Sequence, residues 1–391
     1  MNISVILDMA ARNEASLAPA ITVGERSLSA DDLLARAHRA AVRFRQYTAV
    51  IYPGTSHLAY PVALFGAALA GVPLVPLHSR LGEEHALEIL ERHPGALALC
   101  QEDLDALVLP DAERARASLA VEPPWDTSAA AILYHGGITS PPEEITLGHR
   151  DLLTYLIDTV EFGAAAAAES ALVSVPTYRA SGVTSLLSNL YCARRVVYMP
   201  RFDPREWLEI VYREHITHAV LMPTMLAWIA AVLDGAVAST PTLERISYGG
   251  SRIPRPVLER VLQAFPDPEF VNTYGSTEPL CLIAVLGPEE HRAAVFSEDP
   301  AVRDRLGSVG RALPGTDIQI RSETGEPMEA GEVGMVFVRD GRTGAYERSS
   351  TPDGGDWFPA RTLGRLDAEG YLFLETGPAT HARRRRSMTC S

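Results

Sequence analysis

Residues 132–152, ILYHGGITSPPEEITLGHRDL, pass from an apolar stretch into a glycine pair and out into a segment with helical spacing. AILYHGG at 131–137 has the composition of a buried strand ending in a tight turn, and HRDLLTYLIDTVEFG at 149–163 sets its apolar residues at helical intervals. Between them stand Gly136, Gly137 and the hydroxyls of Thr139 and Ser140, followed by Pro141 and Pro142. Backbone N–H groups and hydroxyls gathered in such a loop make a nest for an anion, above all a phosphate. A phosphate loop also wants a cation, and Glu143 and Glu144 occupy that place. Two carboxylates repel a polyphosphate, so charge favours a structural turn that only keeps the course of a phosphate loop.

The strand–turn–helix pattern repeats on both sides. SADDLLARAHRAAVRFR at 29–45 predicts a helix capped by Ser27 or Ser29, and AVIYPG at 49–54, VPLVPL at 72–77 and ALALC at 96–100 predict short buried strands. YPVALFGAALAGVPLVPL at 60–77 is broken by glycine and proline, so it predicts a helix, a turn and a strand and no membrane span. Further strands are expected at SALVSVPTY, RRVVYMP, THAVLMPT, RISYGG and EFVNTYG, with helices between several of them. After about residue 305, short alternating segments between turns predict an antiparallel sheet. The expected fold is therefore α/β: two β/α subdomains with mostly parallel sheets, over 1–128 and 129–304, then a small antiparallel β subdomain over 305–376. Residues 377–391 are expected to be a disordered basic tail, with Arg383–Arg386 either a solvated end or an anionic docking site; the solvated end is favoured.

The 391 residues are 47% hydrophobic and 21% charged, as in an ordinary globular protein. A net charge of −14 argues against nucleic acid as a partner. No basic leader precedes an apolar run, and the four cysteines lack metal spacing; a reduced cytoplasm is the expected location, with Cys192 and Cys281 buried. All 35 basic residues are arginine. No lysine of these residues can serve as a phosphate clamp or a Schiff-base former, and arginine does not supply the same compact, movable charge.

Several stretches, in chain order, resemble the adenylate-forming superfamily of acyl-CoA synthetases, luciferases and peptide-synthetase adenylation domains. The segment 132–152 matches that family's Tyr-Thr-Ser-Gly-Thr-Thr-Gly-x-Pro-Lys-Gly loop at Tyr134, Gly137, Thr139 and Pro142, and its closing Thr-His-Arg-Asn-Leu at His149, Arg150 and Leu152; Glu143 stands at the lysine position. VPTYRASGVTSLL at 175–187 matches Pro-Leu-Phe-His-x-x-Gly at Pro176 and Gly182, with Arg179 at the histidine position. HAVLMPTMLAWIA at 218–230 matches a Val-Pro-Thr-Met turn, where Met222, Met225 and Trp228 are expected in the core. RISYGGSRIP matches the stretch that runs along the adenine, and FVNTYGSTEP at 270–279 keeps Tyr-Gly-x-Thr-Glu. The resemblance implies that Gly249, Gly250, Tyr274, Gly275 and Thr139 bind the nucleotide, that Thr277 bonds the α-phosphate, and that Glu278 holds Mg²⁺. It implies an acyl pocket lined by Tyr178, Met225 and Ser251, with Arg179 on its wall as a catalytic or carboxylate-pairing group; Leu186, Leu187 and Leu280 fall in the same regions.

Two departures lie further on. In DWFPARTLGRLDAEGYLFLE at 356–375, Thr362 occupies the place of the aspartate that grips both ribose hydroxyls. After Leu374 the family's hinge and lysine-bearing lid domain are not recognisable, so the chain is expected to be a truncated form. The resemblance then implies a protein that binds an acyl, acyl-CoA or carrier-bound acyl substrate without adenylating by itself. It would catalyse condensation, cyclisation or acyl transfer in natural-product biosynthesis, or act as a pseudoenzyme. ATP or AMP and Mg²⁺ would bind weakly or not at all; CoA or a carrier's phosphopantetheine is the other implied cofactor, and a carrier protein or partner enzyme the implied partner. Two alternatives stand beside it: an ATP-dependent ligase completed by a separate lysine-bearing domain, and a non-catalytic scaffold.

Overall fold

The computed structural model describes residues 2–12, 17–78, 81–109, 129–135, 143–340 and 357–375. The loop 136–142, with Thr139, and the tail from 376 lie outside the described residues. The chain divides into two compact units, one of Met1–Ser251, Glu259–Glu269 and Thr277–Cys281, the other of Arg252–Leu258, Phe270–Ser276 and Leu282–Ser391.

The strands of the first unit are β1 (Pro19–Val23), β2 (Arg26–Ser29), β3 (Val50–Tyr52), β4 (Leu74–Pro76), β5 (Leu97–Ala98), β6 (Ala129–His135), β7 (Glu143–Gly148), β8 (Ser170–Val173), β9 (Arg195–Tyr198), β10 (His218–Leu221) and β11 (Arg245–Gly249). One sheet has the order β5-β3-β4-β6-β7, parallel except for the β6–β7 pair. The other runs β11-β10-β8-β9-β1-β2 across this unit, parallel except for the β1–β2 hairpin. Strands covered on both faces need no polar alternation, and β3, β4 and β8 are buried at every residue.

The two sheets draw strands from both sides of residue 128. β1 and β2 join β9, and β6 joins β4 at Leu74↔Ala131. An uncovered strand edge leaves backbone donors and acceptors unpaired, and these crossings cover two such edges. β7 was also not foreseen. EEITLG, expected as turn, pairs antiparallel with β6 and buries Leu147 and Gly148.

Ser29 caps the helix Ala30–Phe44 by accepting the Asp32 N–H. This helix packs its alanine face on the helix Ala59–Ala70, which is apolar on all sides and buried along nearly its whole length. Cys192 and Cys281 are buried, as expected. Among the described residues no helix is long and apolar enough to cross a membrane.

β13 (Leu280–Leu286), whose residues from Leu282 onward belong to the second unit, pairs antiparallel with β14 (Arg311–Ala312) through Ala284 and Val285. β15 (Thr316–Arg321), β16 (Gly334–Asp340), β17 (Phe358–Leu366) and β18 (Leu372–Leu374) form the expected antiparallel sheet. β12 (Glu269–Thr277) carries residues of both units.

His149, from the closing segment of the loop motif, is a core residue. Its Nδ1 accepts the Ile3 N–H at 3.3 Å, tying the start of the helix His149–Thr159 to the N-terminal helix. The neutral ring then carries its proton on Nε2, which is buried with no partner among the described residues. Burial, and then the positive chain terminus, lower its pKa to about 4. The unfolded chain binds this proton near pH 6.5 and the folded chain only near 4, so stability falls as pH drops through that window. The loss is on the order of 3 kcal/mol by pH 4. His149→Gln keeps an acceptor for Ile3 and cannot titrate; denaturant titrations between pH 7 and 4 should show a shallower decline for this variant.

Candidate functional site

Open parallel sheets bind ligands at the C-terminal ends of their strands, where loops diverge. β8, β10 and β11 are neighbours in parallel, with Val173 opposite Val220 and Leu221 opposite Tyr248. Their C-terminal ends therefore lie along one edge. From that edge emerge Ser174–Arg179, Met222–Met225 and Gly249–Ser251, three of the stretches that the family resemblance marks. In the companion sheet, the ends of β3, β4 and β6 lead to Gly54, Leu77–His78 and His135.

Tyr178 joins the two sets of ends. The Tyr178 ring lies against His78, with ring centres 4.3 Å apart. Beneath them passes Gly54 at φ +66°, where a β-carbon would stand 1.7 Å from the Leu77 carbonyl oxygen and 3.2 Å from Tyr178 Cδ1. Arg179 caps the helix Ala180–Tyr191 in extended conformation and is half-buried. The turn before the helix is equally tight: a β-carbon on Gly182 would meet the Pro176 carbonyl oxygen at 2.2 Å. The glycine of this motif is thus explained by close packing. Thr177 is fully buried; its hydroxyl has no partner among the described residues, and its carbonyl accepts the Tyr60 hydroxyl at 3.4 Å.

Arg179 acts electrostatically on His135. Burial first, and then the Arg179 guanidinium, hold the His135 imidazole below the ordinary histidine range, against the opposing pull of Glu143. Glu143 faces His135 across the β6–β7 ladder, and Glu144 faces Tyr134. Tyr134 donates its hydroxyl proton to Glu144 Oε2 at 2.9 Å. Having spent that proton, it accepts from His93 Nε2 at 2.8 Å. Burial and then the Glu144 bond raise the Tyr134 pKa, so the phenol stays protonated; burial lowers that of His93 against the pull of Glu144. The acids at the exit of the loop are therefore built into a hairpin: one is tied down by Tyr134, the other is exposed beside a neutral imidazole.

The remaining residues singled out in the sequence are placed as follows. Met225 is buried, while Ser251 and Gly250 are exposed and Gly250 takes the left-handed turn at φ +80°. Thr277, at the end of β12, is half-buried, and Glu278 is exposed. Tyr274 and Gly275 belong to the second unit. Leu186 and Leu187 are fully buried in the core of the first unit, which excludes them as pocket lining, and Leu280 packs on that core. Trp228, expected in the core, is 52% exposed with Phe202 at 5.9 Å. The helix Pro223–Leu233 turns 225, 226, 229 and 230 inward, which points 224 and 228 to solvent. Thr362, on β17, donates its hydroxyl to the Ala360 carbonyl at 3.2 Å, a local bond where the family pattern has a carboxylate.

Among the described residues no group of three metal-ligating side chains assembles. Magnesium needs only one or two carboxylates when phosphate oxygens complete its shell, so the single exposed Glu278 fits a metal carried by a nucleotide and not a protein-built cage. His78, His135, His93 and Gly54 were not anticipated from the sequence. Each lies in a segment that meets its neighbours only through the fold, although His78 and His135 stand at the ends of predicted strands, where the strand-end rule would have flagged them.

A family model described as AMP-binding enzyme matches residues 7–343. Feruloyl-CoA synthase of Amycolatopsis sp is 28% identical over 349 residues, covering 83% of this chain and 67% of the relative. Indoleacetate–CoA ligase of Aromatoleum aromaticum is 24% identical over 394 residues, covering 91% and 74%. Among solved structures, a double mutant of o-succinylbenzoate CoA synthetase from Bacillus subtilis matches with a TM-score of 0.75 at 22% identity, over 95% of this chain and 78% of that one. This last is a likeness of fold.

The packing at Gly182 is directly testable. Gly182→Ala should destabilise the protein by about 2–3 kcal/mol in denaturant unfolding, because the methyl group collides with a backbone carbonyl. Ser181→Ala, at the exposed neighbouring position, should stay within about 0.5 kcal/mol of the parent.

Proposed function

We propose that this chain, which belongs to the AMP-binding enzyme family, binds an acyl or aryl carboxylate-derived substrate at the strand ends around Tyr178 and Arg179 and does not form adenylates by itself. The observation that carries this reading is the pair of acids on β7. Glu144 is anchored by Tyr134 and Glu143 is fixed by the ladder opposite His135, at the place where the family pattern has a lysine. One misplaced negative charge about 5 Å from a phosphate charge costs on the order of 3 kcal/mol at an effective dielectric of 20. Thr362 in place of the ribose-gripping aspartate, and the lack of any lysine in these 391 residues, weaken the same chemistry. Each group lost from charge stabilisation commonly lowers a rate by about 10²–10³.

The acyl unit would then arrive already activated, as a thioester of CoA or of a carrier-bound phosphopantetheine. Its C–S bond breaks as the bond to an acceptor forms, and the thiol leaves. Met225 and Ser251 line the acyl side, and the relatives, named for ferulate and indoleacetate, support an aryl group. Natural-product biosynthesis and a cytoplasmic site of action belong to the same proposal.

One observation favours a second reading. Thr277 and Glu278 keep the family's order, and neither is needed to make a turn. A ligase completed by a separate lysine-bearing domain would use Glu278 for Mg²⁺, Thr277 for the α-phosphate, and Gly249, Gly250, Tyr274, Gly275 and Thr139 for the nucleotide. ATP–pyrophosphate exchange with a pool of aryl and alkyl acids separates the two. The first reading expects exchange at background with this chain alone, together with calorimetric binding of acyl ligands. Robust exchange by the isolated chain overturns it; exchange that appears only with an added lysine-bearing domain establishes the second.

A further inference from the structure

We propose that the second unit binds a small zwitterion, an α-amino acid with a short aliphatic side chain, in a cavity over Tyr371. All the residues of this cavity belong to the second unit, and the inference does not rest on the acyl-site reading above.

The cavity measures about 180 Å³. At roughly 30 Å³ for each water-sized group, it has room for about six such groups, the size of alanine or valine. Its floor is Tyr371, buried with Leu286 and Phe373. The Val309 N–H donates to the Leu372 carbonyl and the Leu372 N–H to the Gly310 carbonyl, both at 2.8 Å. These bonds fix Tyr371 against the segment that carries Arg305 and Arg311. Both guanidiniums lie on its ring, with Cζ 4.5 Å from the ring centre for Arg305 and 5.1 Å for Arg311. The ring attracts each cation, yet two like charges on one ring repel each other.

Their own carboxylates stand far off. Arg311 meets Glu290 at 3.5 Å and Arg305 meets Glu369 at 3.9 Å, against 2.7 Å for Arg339 and Asp317 in the same unit. Arg305 Nε is also buried with no acceptor among the described residues, and an unpaired buried donor is costly. A carboxylate bound by the two guanidiniums relieves the repulsion and supplies strong acceptors. A bare anion does not suit the remaining lining, because Glu289 and Glu290 face the same cavity and repel it. A ligand that also carries an ammonium group meets them favourably. Ala293 and Val302 provide the apolar lining for a short side chain.

Calorimetric titration of the full chain with L-valine, isobutyrate and isobutylamine tests the site, because the last two each carry one of valine's charges. L-valine is expected to bind about tenfold more tightly than either. Arg311→Gln should weaken L-valine and isobutyrate about tenfold, and Glu289→Gln should weaken L-valine and isobutylamine while sparing isobutyrate. Ala293→Phe, at an exposed helix position, should fill the cavity and abolish binding of all three. L-valine should raise the melting temperature of the parent and leave that of Ala293→Phe unchanged. If Arg311→Gln is itself less stable, Glu289→Gln and Ala293→Phe carry the comparison. Isobutyrate bound as tightly as L-valine, with Glu289→Gln without effect, overturns the zwitterion. Binding of no probe, or L-valine binding that survives both Glu289→Gln and Ala293→Phe, overturns the site and leaves the arginines as a surface ion-pair network.

Discussion

The close approach of Gly182 to the Pro176 carbonyl is the constraint on which the site depends. β8 must give way to the helix Ala180–Tyr191 within a few residues, and the turn leaves no room for a side chain at 182. That tightness puts Tyr178 against His78. Gly54 works in the same way from the other sheet, because any side chain there would run into Leu77 and Tyr178. Two backbone approaches that only glycine permits thus bring the ends of two parallel sheets to one dipeptide. The strand-end edge at which such sheets bind ligands is thereby given a fixed local shape, with Tyr178 stacked on His78.

Charge gives that site its character. Where the family pattern sets a lysine at the loop exit, this chain has an acidic pair; where the pattern sets a histidine on the acyl wall, it has Arg179. The Tyr134 hydroxyl holds Glu144 in its hairpin position and takes a second bond from His93. A carboxylate held by a phenol that is itself fixed by an imidazole is a structural part of the hairpin, and its charge stays where the backbone puts it.

Much of the fold was legible because its signals are local. Short apolar runs between turn residues located β3, β4, β8 and β10, the cap at Ser29 located a helix start, and alternation after residue 305 located the antiparallel sheet. The failures share a cause. β7 and the exposure of Trp228 depend on what lies across the ladder or under the helix, and a polar EEITLG segment or a tryptophan in an apolar run does not carry that information. The crossings of β1 and β6 between sheets are likewise pairings between segments far apart in sequence.

The amino-acid sequence by itself determined the family, the order of its motifs, the acids at 143 and 144, Thr362, and the complete replacement of lysine by arginine; these are matters of residue type and spacing, and no neighbour is needed to see them. Only the tertiary structure decided that His149 is a core residue tied to Ile3, that Gly182 is demanded by packing, that Leu186 and Leu187 are core, and that Tyr178 stacks on His78. Partners, burial and the pKa shifts that follow from them arise between residues brought together by folding, and the sequence names the groups without saying which of them will meet.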